Sequence, residues 1–117
     1  MKLPVETIDD VAIVTIPEET LDAGNAQEFK KSVGPALAAN DKVVFDLSRL
    51  LFVDSSGLGV ILSALRTLNS RGGDLKLCGL TQQVRVLFEL VRMHRIFEIF
   101  DTREEALRAF AVLPLER

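Results

Sequence analysis

The stretch KVVFDLSRLLFVDSSGLGVILSAL, residues 42–65, decides the fold because it joins a strand, a short loop and a helix. Residues 42–47 are a short apolar run bounded by polar residues, which is typical of a strand buried on both faces. After the loop, leucines and one isoleucine recur at helical spacing, at Leu58, Ile61, Leu62, Leu65 and Leu68. Gly72-Gly73 then marks the end of the helix. A buried strand followed by an amphipathic helix predicts an α/β unit with a parallel sheet.

Upstream of this unit, the sequence predicts a β-hairpin. Residues 11–16 are mostly β-branched and end at Pro17, as a strand would. Residues 3–8 are the expected partner strand, and Asp9-Asp10 lies between the two as the turn. The hairpin would give the sheet an antiparallel edge.

Between the hairpin and the buried strand, the spacing of apolar residues predicts the first helix. Asp22 and Asn25 are both candidates for its N-cap. The buried face of this helix would carry Ala26, Phe29, Val33 and Leu37. Gly34-Pro35 lies inside the pattern and predicts a kink or an interruption, since proline lacks the N–H that the helix needs.

Downstream, the alternation of strand and helix continues to the end of the chain. Residues 75–78 predict a strand, and Thr81 can cap a helix whose buried face would be Val84, Leu87, Phe88 and Val91. Residues 96–100 predict a last short strand, and Thr102 and Glu105 form a capping box for a terminal helix. The resulting order, β-β-α-β-α-β-α-β-α, predicts an α/β fold of about five strands and four helices with right-handed crossovers.

Composition narrows the possible functions. The chain has 117 residues and a net charge of −3, and it contains neither tryptophan nor tyrosine. Residues 1–54 hold ten acidic and five basic residues, and this acidic half disfavours nucleic-acid binding, which depends on Lys and Arg. With one cysteine, Cys78, no internal disulfide can form. No apolar run approaches the ~20 residues that span a bilayer, and residues 1–6 lack a signal core. We therefore expect a cytoplasmic protein that does not bind membranes.

The residues most able to carry chemistry lie in FVDSSGLG, residues 52–59, between the buried strand and the amphipathic helix. A helix N-terminus with free N–H groups favours an anion, either a bound phosphate or a phosphate attached to a serine. The alternative is that Asp54, Ser55 or Ser56 merely caps the helix. Nucleotide-binding glycine motifs are absent from the sequence. A serine hydrolase would have only His94 as its base, and Cys78 is expected to be a small core residue.

Four segments together resemble the anti-sigma factor antagonists, which are single STAS domains of bacterial partner-switching systems. They are LDAGNA at residues 21–26, FDLS at 45–48, FVDSSGLG at 52–59 and the glycine pair at 72–73. The resemblance extends over about residues 8–111 in the family's order of elements. It implies one STAS domain over residues 1–117, with a core at about 3–111. The remaining residues, 112–117, are expected to form a frayed tail, as chain termini often do.

The resemblance also implies a function in transcription regulation. It identifies Ser55 as the acceptor of a phosphate from an anti-sigma factor that is itself a serine kinase. A metal-dependent serine phosphatase would reverse the modification. The unphosphorylated form would bind the kinase and release the sigma factor. Residues expected around the acceptor, at the surface that meets this partner, are Asp22, Asn25, Asp54, Ser56, Gly57 and Leu58. No catalytic residue, cofactor or metal is implied.

Electrostatics supports such a switch independently of the family. A phosphate on Ser55 adds about −1.5 to −2 charges. At an interface that already carries Asp22 and Asp54, it would add like-charge repulsion and a desolvation cost, without a large conformational change. One alternative is a ligand- or nucleotide-binding STAS module that serves as a sensor or a transport-system subunit. Another is a small hydrolase that uses Ser55 and His94.

Overall fold

The computed structural model describes residues 1–111, and the predicted tail at 112–117 lies outside the described residues. Twelve elements follow one another along this part of the chain. They are β1 (Val5–Ile8), β2 (Val11–Thr15), β3 (Thr20–Leu21), α1 (Ala26–Ala39), β4 (Lys42–Asp46), β5 (Phe52–Val53), α2 (Ser55–Asn69), β6 (Asp74–Cys78), α3 (Gln82–Leu90), a 3₁₀ turn (Met93–Arg95), β7 (Ile99–Phe100) and α4 (Arg103–Ala111).

Five strands form the main sheet in the order β1-β2-β4-β6-β7. β1 pairs antiparallel with β2, and every other pair in this sheet is parallel. The hairpin turns at Asp9 and Asp10, which both adopt positive φ angles, 51° and 63°, as a tight hairpin turn requires. The predicted α/β fold, a mostly parallel sheet with an antiparallel edge, is confirmed.

Side chains alternate between the two faces of the sheet and so divide the core in two. On one face the strands pack against α1, α2 and α3, and the Phe29 ring meets the Phe45 ring edge-on at 5.7 Å between centroids. On the other face, α4 contributes Ala106 to a smaller cluster with Val44 and Cys78. The burial of both faces of β4 explains why its three central residues, Val43, Val44 and Phe45, are all apolar.

The predicted interruption of the first helix does not occur, because α1 continues through Pro35 from Ala26 to Ala39. Proline removes one hydrogen bond, to the carbonyl of Lys31, but Lys31 is exposed and water can bind that carbonyl. The opposite face of the helix stays buried through the four residues predicted for it, Ala26, Phe29, Val33 and Leu37. Packing on that face therefore outweighs the lost hydrogen bond.

The last predicted strand is shorter than expected. β7 contains only Ile99 and Phe100, since the preceding chain forms a 3₁₀ turn in which the Met93 carbonyl accepts the N–H groups of Ile96 and Phe97. Val91, predicted on the buried face of α3, is 54% exposed because that helix ends at Leu90.

Arg103, the first residue of α4, connects this helix to the sheet through hydrogen bonds. Nε of Arg103 donates to Oδ2 of Asp46 at 2.8 Å, and its other nitrogens donate to Glu6 and Thr15, both at 2.9 Å. Burial raises the pKa of Asp46, but the hydrogen bonds from Arg103 and Ser48 outweigh that effect and hold the pKa below its ordinary value. The carboxylate at the end of β4 is therefore stable in its charged form.

The buried strand can be tested with Val44→Asp. Val44 is fully buried, so an unpaired carboxylate there should cost several kcal/mol and abolish cooperative thermal unfolding. Val5→Asp is the matched control, since Val5 is in the same sheet but is 48% exposed, and it should melt cooperatively. Circular dichroism distinguishes the two. A wild-type melting curve for Val44→Asp would contradict the assignment of β4.

The Asp46–Arg103 pair predicts a pH-dependent stability. Asp46→Asn should lower the free energy of unfolding by about 2 kcal/mol at pH 7. Because the folded pKa of Asp46 is lowered, this contribution is present above about pH 4 and is lost as the pH falls through the folded pKa. Urea unfolding of wild type and variant at several pH values measures the difference, which should narrow below about pH 4. Asp10→Asn, at an exposed pair with Lys42, should change little at any pH. If wild type and Asp46→Asn differed in free energy of unfolding by the same amount at every pH, the charge of Asp46 would not be the cause of the difference.

Candidate functional site

The site is built around the N-terminus of α2. Asp54 is the N-cap residue, and its Oδ1 accepts the N–H of Gly57 at 3.0 Å. Ser55 is the first residue of the helix and is exposed, while Ser56 is half-buried. Of the three cap candidates in the sequence, Asp54 takes that role. The hydroxyl of Ser55 is therefore not needed to cap the helix.

The second oxygen of Asp54 reaches a different part of the chain. Oδ2 accepts the N–H of Ala23 at 3.1 Å, and the Asp54 N–H donates to the Leu21 carbonyl at 3.2 Å. Just before these contacts, β3 and β5 pair in parallel, Thr20 with Phe52 and Leu21 with Val53. Residues 20–25 and 52–57, which are far apart in sequence, thus lie side by side.

Gly57 permits this close approach. A Cβ at this position would lie 2.2 Å from the Leu21 carbonyl oxygen and 2.5 Å from a methyl carbon of Val53. Both contacts are far inside van der Waals distance, and the carbonyl belongs to backbone that cannot move away cheaply. Any side chain here would push residues 20–25 away from α2.

Side-chain hydrogen bonds also fix the loop between β3 and α1. Oδ1 of Asp22 accepts the N–H of Gly24 at 2.8 Å. Oδ1 of Asn25 accepts the N–H of Asp22 at 2.9 Å, and Nδ2 of Asn25 donates to the Thr20 carbonyl at 2.8 Å. Asn25 occupies the N-cap position of α1, but its side chain makes no capping hydrogen bond. Of the two N-cap candidates in the sequence, Asn25 takes the position, while the Asp22 carbonyl, and not a side chain, accepts the N–H of Ala26.

The site carries two carboxylates, those of Asp22 and Asp54. The N–H of Gly57, with those of Ala23 and Ser56, holds the pKa of Asp54 below its ordinary value. In residues 1–111, neither Asp22 nor Asp54 forms an ion pair. Both carboxylates therefore keep their negative charge without an ion-pair partner in this part of the chain.

Apolar side chains lie next to these carboxylates. Leu51 and Phe52 are 42% and 48% exposed, whereas Leu58 is half-buried against the main core. Thr81 holds the chain before them, because its Oγ1 donates to the Leu50 carbonyl at 2.8 Å. Sequence reasoning missed Leu51, and it identified Phe52 only as part of the run at 52–59 and Thr81 only as a helix cap, since a two-residue strand is too short to show an alternating pattern.

The other candidate groups lie elsewhere. Cys78 is buried, as predicted, and burial raises the pKa of its thiol to about 12. His94 is exposed in the 3₁₀ turn, and no hydrogen bond in the described part of the chain joins it to Ser55. Within residues 1–111, no group of three or more His, Cys, Asp or Glu side chains could hold a metal ion. None of the helices in this range has the length and hydropathy to cross a membrane.

Known sequences resemble the chain over most of its length. A sequence profile of the STAS domain matches residues 2–106. BtrV of Bordetella bronchiseptica is 32% identical over 111 residues, which cover 94% of this chain and 95% of BtrV. The anti-sigma-B factor antagonist of Listeria monocytogenes is 37% identical over 86 residues, covering 73% of this chain and 75% of that protein.

Solved structures agree with these sequence matches. The crystal structure of TM1081 from Thermotoga maritima superimposes with a TM-score of 0.86 at 33% identity, covering 94% of this chain and 95% of that one. SpoIIAA in its unphosphorylated form gives a TM-score of 0.70 at 22% identity, covering 95% of this chain and 99% of SpoIIAA. This second likeness concerns the fold alone. Profile, sequences and structures agree with the resemblance seen in residues 21–26 and 52–59, and the chain belongs to the STAS domain family.

Proposed function

We propose that this protein is an anti-sigma factor antagonist that is switched off by phosphorylation of Ser55. In its unphosphorylated form it binds an anti-sigma factor that is a serine kinase, and the sigma factor is released. The observation that carries this proposal is the exposed Ser55 at the start of α2, directly after Asp54, whose carboxylate binds the loop that holds Asp22. Among the relatives, the Listeria monocytogenes protein is named as an anti-sigma-B factor antagonist.

Ser55 is suited to accept a phosphate from another enzyme. Its side chain is exposed, and its position in the first turn of α2 places an added anion at the positive end of the helix dipole. In the proposed reaction the Ser55 oxygen bonds to the γ-phosphorus of ATP, ADP leaves, and the hydroxyl proton passes to a base of the kinase. A metal-dependent serine phosphatase would hydrolyse the phosphoserine and restore the hydroxyl.

The phosphate would act mainly at the interface with the kinase. Asp22 and Asp54 already make the surface around Ser55 negative, and neither has an ion-pair partner within residues 1–111. A phosphoserine adds about −1.5 to −2 charges and must also be desolvated in a complex. A loss of about 3 kcal/mol in binding would weaken the complex roughly a hundredfold.

Such a switch does not require a change of fold. SpoIIAA, a protein of the same fold, has been solved in an unphosphorylated and in a phosphorylated form, with TM-scores of 0.70 and 0.69 to this chain. In this chain, Asp54 and not Ser55 caps α2, so modifying the serine leaves the cap in place. We expect the phosphorylated domain to keep its structure and lose its partner.

A ligand-binding function is the second candidate, and the cleft at the open edge of β7 is the feature that favours it. The cleft lies between α3 and α4, where Arg85 and Arg108 flank the apolar side chains of Ile99 and Phe100. However, Asp101 also lines it and pairs with Arg85 at 3.5 Å, which disfavours an anionic nucleotide. Calorimetric titration with ATP and GTP tests this candidate, and binding that Arg108→Ala abolishes would support it.

The acceptor can be identified by mass spectrometry. Incubation with the cognate kinase and ATP should add one phosphate, located at Ser55. Ser55→Ala should abolish the modification and leave the melting temperature nearly unchanged, because the cap of α2 is Asp54. Ser56→Ala is the matched control and should still be phosphorylated. A phosphate found on Ser56 or Thr67 in wild type would refute the assignment.

The switch can be measured as a difference in affinity for the kinase. Calorimetric titration should show tight binding of the unmodified protein and at least tenfold weaker binding of the phospho-Ser55 form, a loss of at least ~1.4 kcal/mol. Ser55→Asp should reproduce only part of this loss, since a carboxylate carries less charge and fewer oxygens than a phosphate.

Salt separates the causes of the loss. At 1 M salt the Debye length falls to about 3 Å, so repulsion between exposed charges should shrink while a steric loss persists. Equal affinities of the two forms in low salt would mean that Ser55 is no switch, and the proposed mechanism would be wrong.

A further inference from the structure

Asn25 uses its side chain in an unexpected way. Asparagine at an N-cap position usually accepts an N–H from the first turn of its own helix. Here the side chain makes no such bond, and the Asp22 carbonyl serves the first turn of α1 by accepting the N–H groups of Asn25 and Ala26 at 3.1 and 2.8 Å. Helix stability alone therefore does not account for an asparagine at this position.

The oxygen and the nitrogen of the Asn25 side-chain amide both form hydrogen bonds with the preceding segment. Oδ1 accepts the N–H of Asp22 at 2.9 Å, and Nδ2 donates to the Thr20 carbonyl at 2.8 Å. Both hydrogen bonds are partly buried, and the residue itself is half-buried. One side chain thus joins the strand end at Thr20 to the residue that carries the carboxylate.

The loop closed by Asn25 presents one carboxylate with a free oxygen. Oδ1 of Asp22 accepts the N–H of Gly24 at 2.8 Å, while Oδ2 has no hydrogen-bond or ion-pair partner in residues 1–111. The next residue, Ala23, is bound by Asp54 directly before Ser55. Hydrogen bonds from Asn25 on one side and to Asp54 on the other therefore hold the Asp22 loop against the residue that directly precedes Ser55.

We infer that Asn25 is a positioning residue for the Asp22 carboxylate: it fixes the loop in its binding conformation and makes no contact with the kinase. This inference rests on the proposed function, since it concerns the surface that meets the kinase. If both hydrogen bonds are removed, the loop samples more conformations in the free protein and must be ordered again on binding. The loss of affinity then depends on Asp22, because Asp22 is the group that Asn25 positions.

A double-mutant cycle tests this dependence by calorimetric titration against the cognate kinase. Asn25→Ala and Asp22→Asn should each raise the Kd at least fivefold, and the double variant should bind no more than twofold more weakly than the weaker single variant. Asn40→Ala is the matched control. Asn40 likewise donates from its side chain to a backbone carbonyl, that of Ala36 at 2.9 Å, but at the other end of α1, and its loss should leave the Kd unchanged.

Hydrogen exchange of the free protein provides a measurement that needs no partner. Asn25→Ala should speed exchange of the Asp22 and Gly24 amides at least tenfold and leave core amides of β4 unaffected. Asn25→Asp, which keeps the acceptor for the Asp22 N–H but loses the donor to Thr20, should recover part of the protection of the Asp22 amide. This pattern would distinguish a loosened loop from a protein that has lost its fold.

The outcomes separate the inference from the proposed function. If wild type binds the kinase and the two single effects add in the double variant, Asn25 contacts the partner itself and the inference is wrong. An unchanged Kd for Asn25→Ala, or unchanged exchange at Asp22, also overturns it. If wild type does not bind the kinase at all, the proposed function fails and the inference fails with it.

Discussion

The structure of the site depends on one carboxylate that accepts two backbone N–H groups. Asp54 binds Gly57 in its own helix at 3.0 Å and Ala23 in a loop 31 residues earlier at 3.1 Å. Besides this bridge, the backbone hydrogen bonds between the two segments include the two-residue ladder of β3 and β5 and the bond from the Asp54 N–H to the Leu21 carbonyl. Gly57 makes the bridge possible, because any Cβ there would overlap the Leu21 carbonyl. The anionic surface around Ser55 is therefore a product of long-range packing.

Because of this bridge, the polar residues of the site have different roles. Asp54 is occupied on both oxygens and serves the fold, whereas Asp22 keeps one oxygen free and Ser55 is exposed. A group that is fully hydrogen-bonded contributes little to recognition, and a free carboxylate on a fixed loop contributes more. In the proposed switch, modification of Ser55 would therefore leave the hydrogen bonds of Asp54, and with them the sheet and helices, in place.

The elements that could be predicted from sequence are those with a long periodic pattern. β4 and α2 gave such patterns, and the Thr102–Glu105 capping box forms as predicted, with the Glu105 N–H donating to Thr102 Oγ1 at 3.1 Å. The β3–β5 ladder could not be predicted, because two residues have no periodicity. The interruption predicted at Pro35 does not occur, because local propensity does not show how the opposite face of α1 packs against the core.

For the site, sequence motifs indicated the two segments that the structure brings together, but not the contacts between them. The run at 52–59 and the segment at 21–26 were both singled out, yet nothing local shows that Asp54 reaches Ala23. Asn25 is a second residue whose contacts differ from those that its residue type predicts. Its residue type predicts a helix cap, and Asn25 does occupy the N-cap position, but its amide closes the loop through local hydrogen bonds with Asp22 and Thr20 instead of capping the helix.

The most direct test of this account is an NMR titration of the free protein that follows the amide signals of Ala23 and Gly57 as the pH is lowered. If the Asp54 carboxylate bridges both segments, the two amides should shift with one common midpoint, below the ordinary aspartate pKa of about 3.9. Asp54→Asn should abolish both transitions. Separate midpoints, or an Ala23 amide that does not respond to Asp54, would contradict the bridge on which the account depends.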